Sequence, residues 1–388
     1  MPLMPVAPQW LVWLGVGLLA YAYVLYPVLI IAVARILGTT HRDADPPATG
    51  GLTPAVAIVV AAFNEEASIG SRIENLLQQD YPLDRMQILI GCDGCTDRTA
   101  QIAAAYAGPH VTVHAFDVNR GKSSVLNDLV AGTDASIVVF TDANTVFRPD
   151  TVRRLVDAFG EDTAAVCGEL IMQRPSAGTN PDHQYWTVER RLKLAEASIG
   201  GLLGANGGVY AIRRECFQPL LPDTICDDFV IGMNIAVGGG ALRYVPSATA
   251  YEDIPEDVEA EFHRRTRIGT GNYQALFRNP RYLYGGSLAL AFTYVSHKVL
   301  RWFTPHLVLL VLAASLLSGV PALRALAGAM VIGLTLAWIV HSTRHFVLWP
   351  AVLRFASYFA MLNVAFLVGF SSFLTGNYRG SWRRTARE

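Results

Sequence analysis

Hydrophobic positions fall into three regimes along this chain. At the front, residues 10–33 form one apolar run without a charge. From residue 54 to residue 272, short apolar runs alternate with amphipathic stretches. At the back, residues 303–319, 325–340 and 355–374 are again continuously apolar. The middle regime reads strand, helix, strand. Residues 55–62 (AVAIVVAA) are near-continuously apolar, as in a strand buried on both faces. Residues 67–79 have a helical period, with Ile69, Ile73, Leu76 and Leu77 on one face. Strands are expected at 87–92 and 111–116 and helices at 98–106 and 123–131, and another strand runs into residues 136–146 (SIVVFTDANTV). Such alternation implies an α/β, doubly wound sheet. Residues 41–53, rich in Pro, Gly, Asp and Thr, read as a linker from the front run.

As a helix, the front run would be about 36 Å long, enough to cross a hydrocarbon core of ~30 Å. Ala32-Val33-Ala34 resembles a signal-peptide cleavage site, but no Lys or Arg precedes the run, and it is too long for such a peptide. A retained transmembrane helix (residues 1–35) is expected. Arg35 and Arg42 follow it, which puts the middle regime on the cytoplasmic side. Residues 282–302 mix aromatic and basic side chains and suit an amphipathic helix lying on the membrane surface. Residues 303–377 hold the C-terminal transmembrane helices. Three crossings there would leave the tail outside, yet Arg379, Arg383, Arg384 and Arg387 argue for inside. The two signals conflict unless one run is only half-inserted.

Composition agrees with a membrane-bound catalytic or binding domain. The 388 residues are 52% hydrophobic and 16% charged, with a mean hydropathy of +0.31. That is too apolar for a purely soluble protein and too charged in the middle for a pure transporter. A net charge of −1 carries no footprint of a nucleic-acid partner. Five cysteines, an odd number, point to reduced thiols. Cys92 and Cys95 have C-x-x-C spacing, but no second pair completes a zinc site, so buried or incidental thiols are expected.

Polar residues collect where the strands end: Asn64-Glu65-Glu66 after the first, Asp93 to Asp97 after the second, Arg120-Gly121-Lys122 after the third and Asp142-Ala143-Asn144 after the fourth. Each alone suits a helix cap or turn. Four in succession along one edge point to the ligand-binding edge of an open α/β sheet. The Asp142 carboxylate and the Asn144 amide oxygen, one residue apart, can share one hard divalent cation. Gly121-Lys122-Ser123 is not a P-loop, because Phe116 stands where that motif needs Gly.

The ordered set FNEE, DGCTD, GKSS, TDAN and CDDF, followed by HRRTR, resembles glycosyltransferase family 2, in the membrane-bound branch of cellulose, chitin and hyaluronan synthases. The resemblance spans residues 54–272. It implies a GT-A fold, a Rossmann-like sheet domain in the cytoplasm of a bacterial inner membrane. It also implies a nucleotide-sugar donor, in particular a UDP-sugar, inversion at the anomeric carbon, and Mg²⁺ or Mn²⁺ as cofactor. By the same resemblance Asn64, Glu65, Asp93 and Lys122 bind the donor, and Asp142 and Asn144 hold the metal. Asn144 replaces a carboxylate and removes one negative charge. In the Gly-rich stretch 203–214, Asn206 and Gly207 match the sugar and acceptor pocket, with Asp227 in support. Asp228 matches the general base that deprotonates the acceptor hydroxyl. Arg267 matches a diphosphate-binding Arg, and Arg264, which stands where Gln is expected, is a further donor-binding candidate, while Ile268 replaces a Trp. The acidic residues of 252–261 offer these arginines other partners. Losing the Trp weighs against processive chain extension. The expected activity is transfer of one sugar to a lipid-linked or glycan acceptor at the membrane. The alternatives are a processive polysaccharide synthase, with a homo-oligomer or export subunit completing a channel, and a non-catalytic nucleotide-sugar-binding membrane protein.

Overall fold

The computed structural model describes residues 7–36, 53–173, 181–253, 258–343 and 349–378. Most of the expected linker and the Arg-rich tail lie outside these residues. The chain opens with α1 (Ala7–Ala20), which passes through a π-helical turn into α2 (Tyr26–Ile36). The sheet domain then alternates β1 (Val56–Ala62), α3 (Ile69–Leu77), β2 (Met86–Asp93), α4 (Thr99–Ala104), β3 (Val111–Phe116), α5 (Lys122–Ala131) and β4 (Ile137–Asp142). β5 (Thr145–Phe147), α6 (Thr151–Asp157), β6 (Thr163–Gln173), α7 (Pro181–Ser198), β7 (Tyr210–Arg213), α8 (Asp227–Val237) and β8 (Ala241–Asp253) complete it.

Eight strands form one sheet in the order β3-β2-β1-β4-β7-β6-β8-β5. The first four are parallel, the doubly wound half that the alternation implies. β7 runs antiparallel to β4 and β6, and β5 antiparallel to β8, so the sheet as a whole is mixed. β1 is central and every residue is buried. Val56, Ile58 and Val60 pack under the side that carries Ile73, Leu76 and Val152. Ala57, Val59 and Ala61 pack under the opposite side, with Val125, Leu126 and Ile231. That double burial explains the unbroken apolar run. Register sets the carboxyl ends level: Ala61 lies opposite Asp142 and Ala62 opposite Cys92.

After β8 comes α9 (Val258–Arg278), then α10 (Leu288–Thr293), a π-helical segment, α11 (Leu300–Trp302), α12 (Thr304–Leu317), α13 (Pro321–Ser342) and α14 (Ala351–Thr375). Among the described residues three helices are long and apolar enough to cross a membrane: Gln9–Ile36, α13 and α14. The Leu288–Trp302 and α12 segments would make a fourth span, bent by 60° between them. The 282–302 segment does more than offer an amphipathic face. Tyr282, Tyr294 and Trp302 are buried against Phe229 and Met233 of α8 and Tyr273 of α9.

α12 runs antiparallel to α1: Tyr23 bonds Thr304 at 3.0 Å, and Val12 packs with Val311 and Ala314. α14 runs beside α9 in the same direction. Tyr358 reaches Glu261, Phe370 stacks edge-on to Tyr273, Phe373 lies over Phe277, and Arg278 donates to the Tyr378 hydroxyl.

Candidate active site

The candidate site lies at the carboxyl edge of the parallel strands, assembled by a chain of polar contacts. Asn64 follows β1 with φ of 56°, a left-handed conformation that Asn tolerates. Its Oδ1 accepts the Thr96 N–H at 2.8 Å and its Nδ2 donates to Thr96 Oγ1 at 3.0 Å. The Glu65 N–H donates to Thr99 Oγ1 at 2.7 Å, and its carboxylate accepts from Ser68. These two residues tie the loop after β1 to the loop after β2.

Asp93, fully buried at the end of β2, accepts the backbone N–H groups of Arg120 and Gly121, each at 2.8 Å. Gly121 has φ of 90°, a value that disfavours any side chain. Asp93 thereby fixes the turn that launches α5, whose first residue is Lys122. The Lys122 ammonium lies 2.7 Å from Asp142 Oδ1 and 3.2 Å from Asp227 Oδ2. Burial opposes its charge, but Asp142 and Asp227 outweigh that and hold it protonated well above the usual Lys range.

Asp227 and Asp228 open α8. Asp228 faces the Gly-rich loop: a Cβ on Gly207 would meet its Oδ2 at 3.2 Å. Burial, then the charge of Asp227, pushes its carboxyl up to about 6, while Lys122 pulls the other way. Asn206 accepts from Lys193 and donates to the Gly168 carbonyl at 2.8 Å. The buried hydroxyls of Thr145 and Tyr210 have no hydrogen-bond partner among the described residues. Such groups cost stability unless a water or ligand meets them.

The basic helix face divides. Arg264 and Arg265 both pair with the buried Glu261, at 3.0 and 2.6 Å. Arg264 is therefore engaged in its own helix rather than in the site. Arg267 is exposed and makes no ion pair with the site's acids among the described residues, although its charge reaches Cys226, next to Asp227.

A divalent cation finds hard oxygen donors here. Asp142 ends β4 and Asn144 lies in the turn before β5, where it donates to Glu252 Oε1 at 3.1 Å because β5 pairs Thr145 directly with Glu252. Among the described residues no three His, Cys, Asp or Glu side chains form a metal-binding group. The donor set fits Mg²⁺ or Mn²⁺ taking few protein oxygens and completing its shell with phosphates.

Reasoning from sequence missed Arg72, Lys193 and Glu252. Arg72 is buried, donates to Thr141 Oγ1 at 2.6 Å and Asn75 at 2.5 Å, and lies 4.3 Å over the Phe147 ring. Burial pushes its guanidinium down to about 9, against the pull of Asp142. The signal was present: Arg72 falls on the same helical face as Ile69, Ile73 and Leu76.

Residues 57–220 match the family described as Glycosyl transferase family 2. The chain carries a family 2 glycosyltransferase domain. The Beta-monoglucosyldiacylglycerol synthase of Synechocystis sp. is 27% identical over 285 residues, which cover 69% of this chain and 56% of that one. The N-acetylglucosaminyltransferase of Azorhizobium caulinodans is 23% identical over 66% of this chain and 68% of its own. The chain thus spans little more than half of the synthase it matches. The mannosyltransferase PcManGT of Pyrobaculum calidifontis, solved with GDP-Man and Mn²⁺, shares the fold. Its TM-score is 0.69 at 20% identity, over 95% of this chain and 100% of that one. The family 2 domain here therefore has the GT-A fold, with apolar helices before and after it.

Proposed function

We propose that this protein transfers a single sugar, with inversion, from a nucleotide-sugar donor to a lipid-linked or glycan hydroxyl held at the membrane. The observation that carries this reading is Asp228, a carboxyl raised to about 6 that faces Gly207 and lies beside the Lys122–Asp142–Asp227 cluster. A base with that affinity is largely ionised at neutral pH and still takes a proton readily. The name of the Synechocystis relative points to a glycolipid product, the PcManGT complex to a nucleotide sugar with a divalent ion.

In this reading the loops fixed by Asn64, Glu65 and Asp93 hold the nucleotide, and UDP is the nucleotide the resemblance favours. Asn206 and Gly207 seat the acceptor against Asp228, and Asp227, held by Lys122, supports it. Asp228 takes the hydroxyl proton as the acceptor oxygen attacks the anomeric carbon in line. Lys122 and Arg267 place positive charge near the departing diphosphate. A Mg²⁺ or Mn²⁺ held by Asp142 and Asn144 would supply Lewis-acid neutralisation of that leaving group. Ile268 in place of Trp favours single transfer over processive extension.

The test is a screen of UDP- and GDP-sugars against membranes containing the protein, reading free nucleotide and product length. Asp228→Asn serves as the inactive control. Long polymer would establish the synthase reading instead. No turnover with any donor, beside intact nucleotide binding, would establish a binding protein.

A further inference from the structure

Two thiols that sugar transfer does not use lie beside the nucleotide loops. Cys92 is buried near the end of β2, and Cys95 follows half-buried, beyond Gly94. Gly94 takes a left-handed φ of 63°, which turns the chain back on itself. Cys95 packs against the buried cluster that contains Cys92, Val60 and Ala62. Cys95 Sγ donates to the Ala62 carbonyl at 3.5 Å. The neighbouring Cys92 thiol, foremost, outweighs burial and lowers the Cys95 thiol to about 7. Burial instead pushes up the thiols of Cys167, Cys216 and Cys226. Reactivity follows thiolate character and access, and Cys95 has both.

We propose that Cys92 and Cys95 are a redox-active dithiol that exchanges with small-molecule disulfides and closes a disulfide inside the turn that carries Asp93. The Cys95 thiolate attacks one sulfur of the small disulfide, expels one thiolate and leaves a mixed disulfide. The Cys92 thiol gives its proton to solvent, and its sulfur attacks Cys95 Sγ, expelling the second small thiolate. Two electrons pass from the protein pair to the small disulfide, which ends as two thiols.

A disulfide needs sulfurs ~2.05 Å apart, with a dihedral near 90°. Both thiols are free here, so closure must draw the two sulfurs to that distance and moves the turn. Asp93 sits between them and holds Arg120 and Gly121, while Thr96 just beyond holds Asn64. Oxidation therefore disturbs the loops assigned to the nucleotide. That coupling rests on the proposed function; disulfide formation does not.

The experiment titrates the full-length protein in detergent with oxidised glutathione. It reads free thiols, intact mass and UDP affinity. Two of the five thiols are expected to disappear. The mass falls by about 2 Da with no glutathione retained. UDP binds roughly tenfold more weakly, the cost of one lost charge-assisted hydrogen bond. Dithiothreitol restores it. Cys216→Ser behaves as the parent, whereas Cys95→Ser forms no internal disulfide and keeps its UDP affinity under oxidation. Retention of all five thiols, or glutathione adducts alone, overturns the dithiol. A disulfide that leaves UDP affinity unchanged overturns the coupling. Reduced protein that binds no UDP counts against the UDP reading alone.

Discussion

Asp228 and Lys122 make the sharpest statements available at the level of single residues. Asp228→Asn keeps nucleotide binding and lowers transfer by roughly 10²- to 10⁴-fold, the usual contribution of a positioned base; calorimetry and nucleotide release measure the two separately. With wild type, kcat/KM is expected to rise with pH and level off above about 6, because the proposed base must be ionised. The same shift bears on stability. The folded state holds the Asp228 proton over a window from the ordinary Asp range to about 6. Within it the folded state binds more protons than the unfolded, so this group's contribution falls as pH rises through the window and stays constant above. Lys122 lowers the Asp228 carboxyl, so Lys122→Gln moves the kinetic limb to higher pH, which a rate profile detects. The acids, Lys122 and the Gly-rich loop were legible in sequence because each follows a strand end or opens a helix. Glu252 was not. It reaches Asn144 only through the β5–β8 pairing, a contact between positions 108 apart that no local pattern encodes.

Among elements, the parallel half of the sheet could be read from its apolar alternation, whereas the antiparallel half could not. β5 and β7 are three and four residues long, too short for a period to emerge. The α9–α14 pair was equally hidden, since residues 258–278 look like a solvated basic helix when taken alone. Small residues make their approach feasible. A Cβ on Gly369 would lie 2.8 Å from the Thr266 carbonyl oxygen and 2.8 Å from the Thr270 nitrogen, both backbone atoms that cannot swing aside. Gly369→Ala should therefore push α14 off α9 and cost about 1–3 kcal/mol, as overpacked sites do. Thermal unfolding in detergent checks this, and Gly328→Ala, where nothing lies within 4 Å, is the control.

For the whole molecule, contacts suggest how the conflicting topology signals are reconciled. Phe359 lies 5.6 Å from Tyr23, and Phe370 lies 4.7 Å from His306. Tyr23 and Thr304 are themselves hydrogen-bonded, so two points of α14 about 16 Å apart touch one level of the α1–α12 pair. α14 therefore lies across that pair, beside α9, and its end reaches Arg278, which pairs with Asp223 of the transferase domain. We propose that Gln9–Ile36, the bent pair of Leu288–Trp302 with α12, and α13 cross, and that α14 rests at the surface on the side of the sheet domain. A single cysteine placed at Tyr378 should then react with impermeant maleimide on the side of the catalytic domain, and one at Gln9 on the opposite side. Labelling of both on one side would count against this arrangement.

Where the first helix meets the domain, Tyr26 donates to Glu196 at 2.7 Å, and His297 lies between Glu196 and Glu189, at 2.6 and 2.9 Å. All four side chains are buried, and they come from α2, α7 and the segment before α11. Removing the flanking helices to obtain a water-soluble fragment would strip both glutamates of their partners and uncover the apolar floor around Leu192. The apolar helices thus act as masonry for the sheet domain rather than as a tether, and swapping them for a foreign anchor should yield a protein that aggregates.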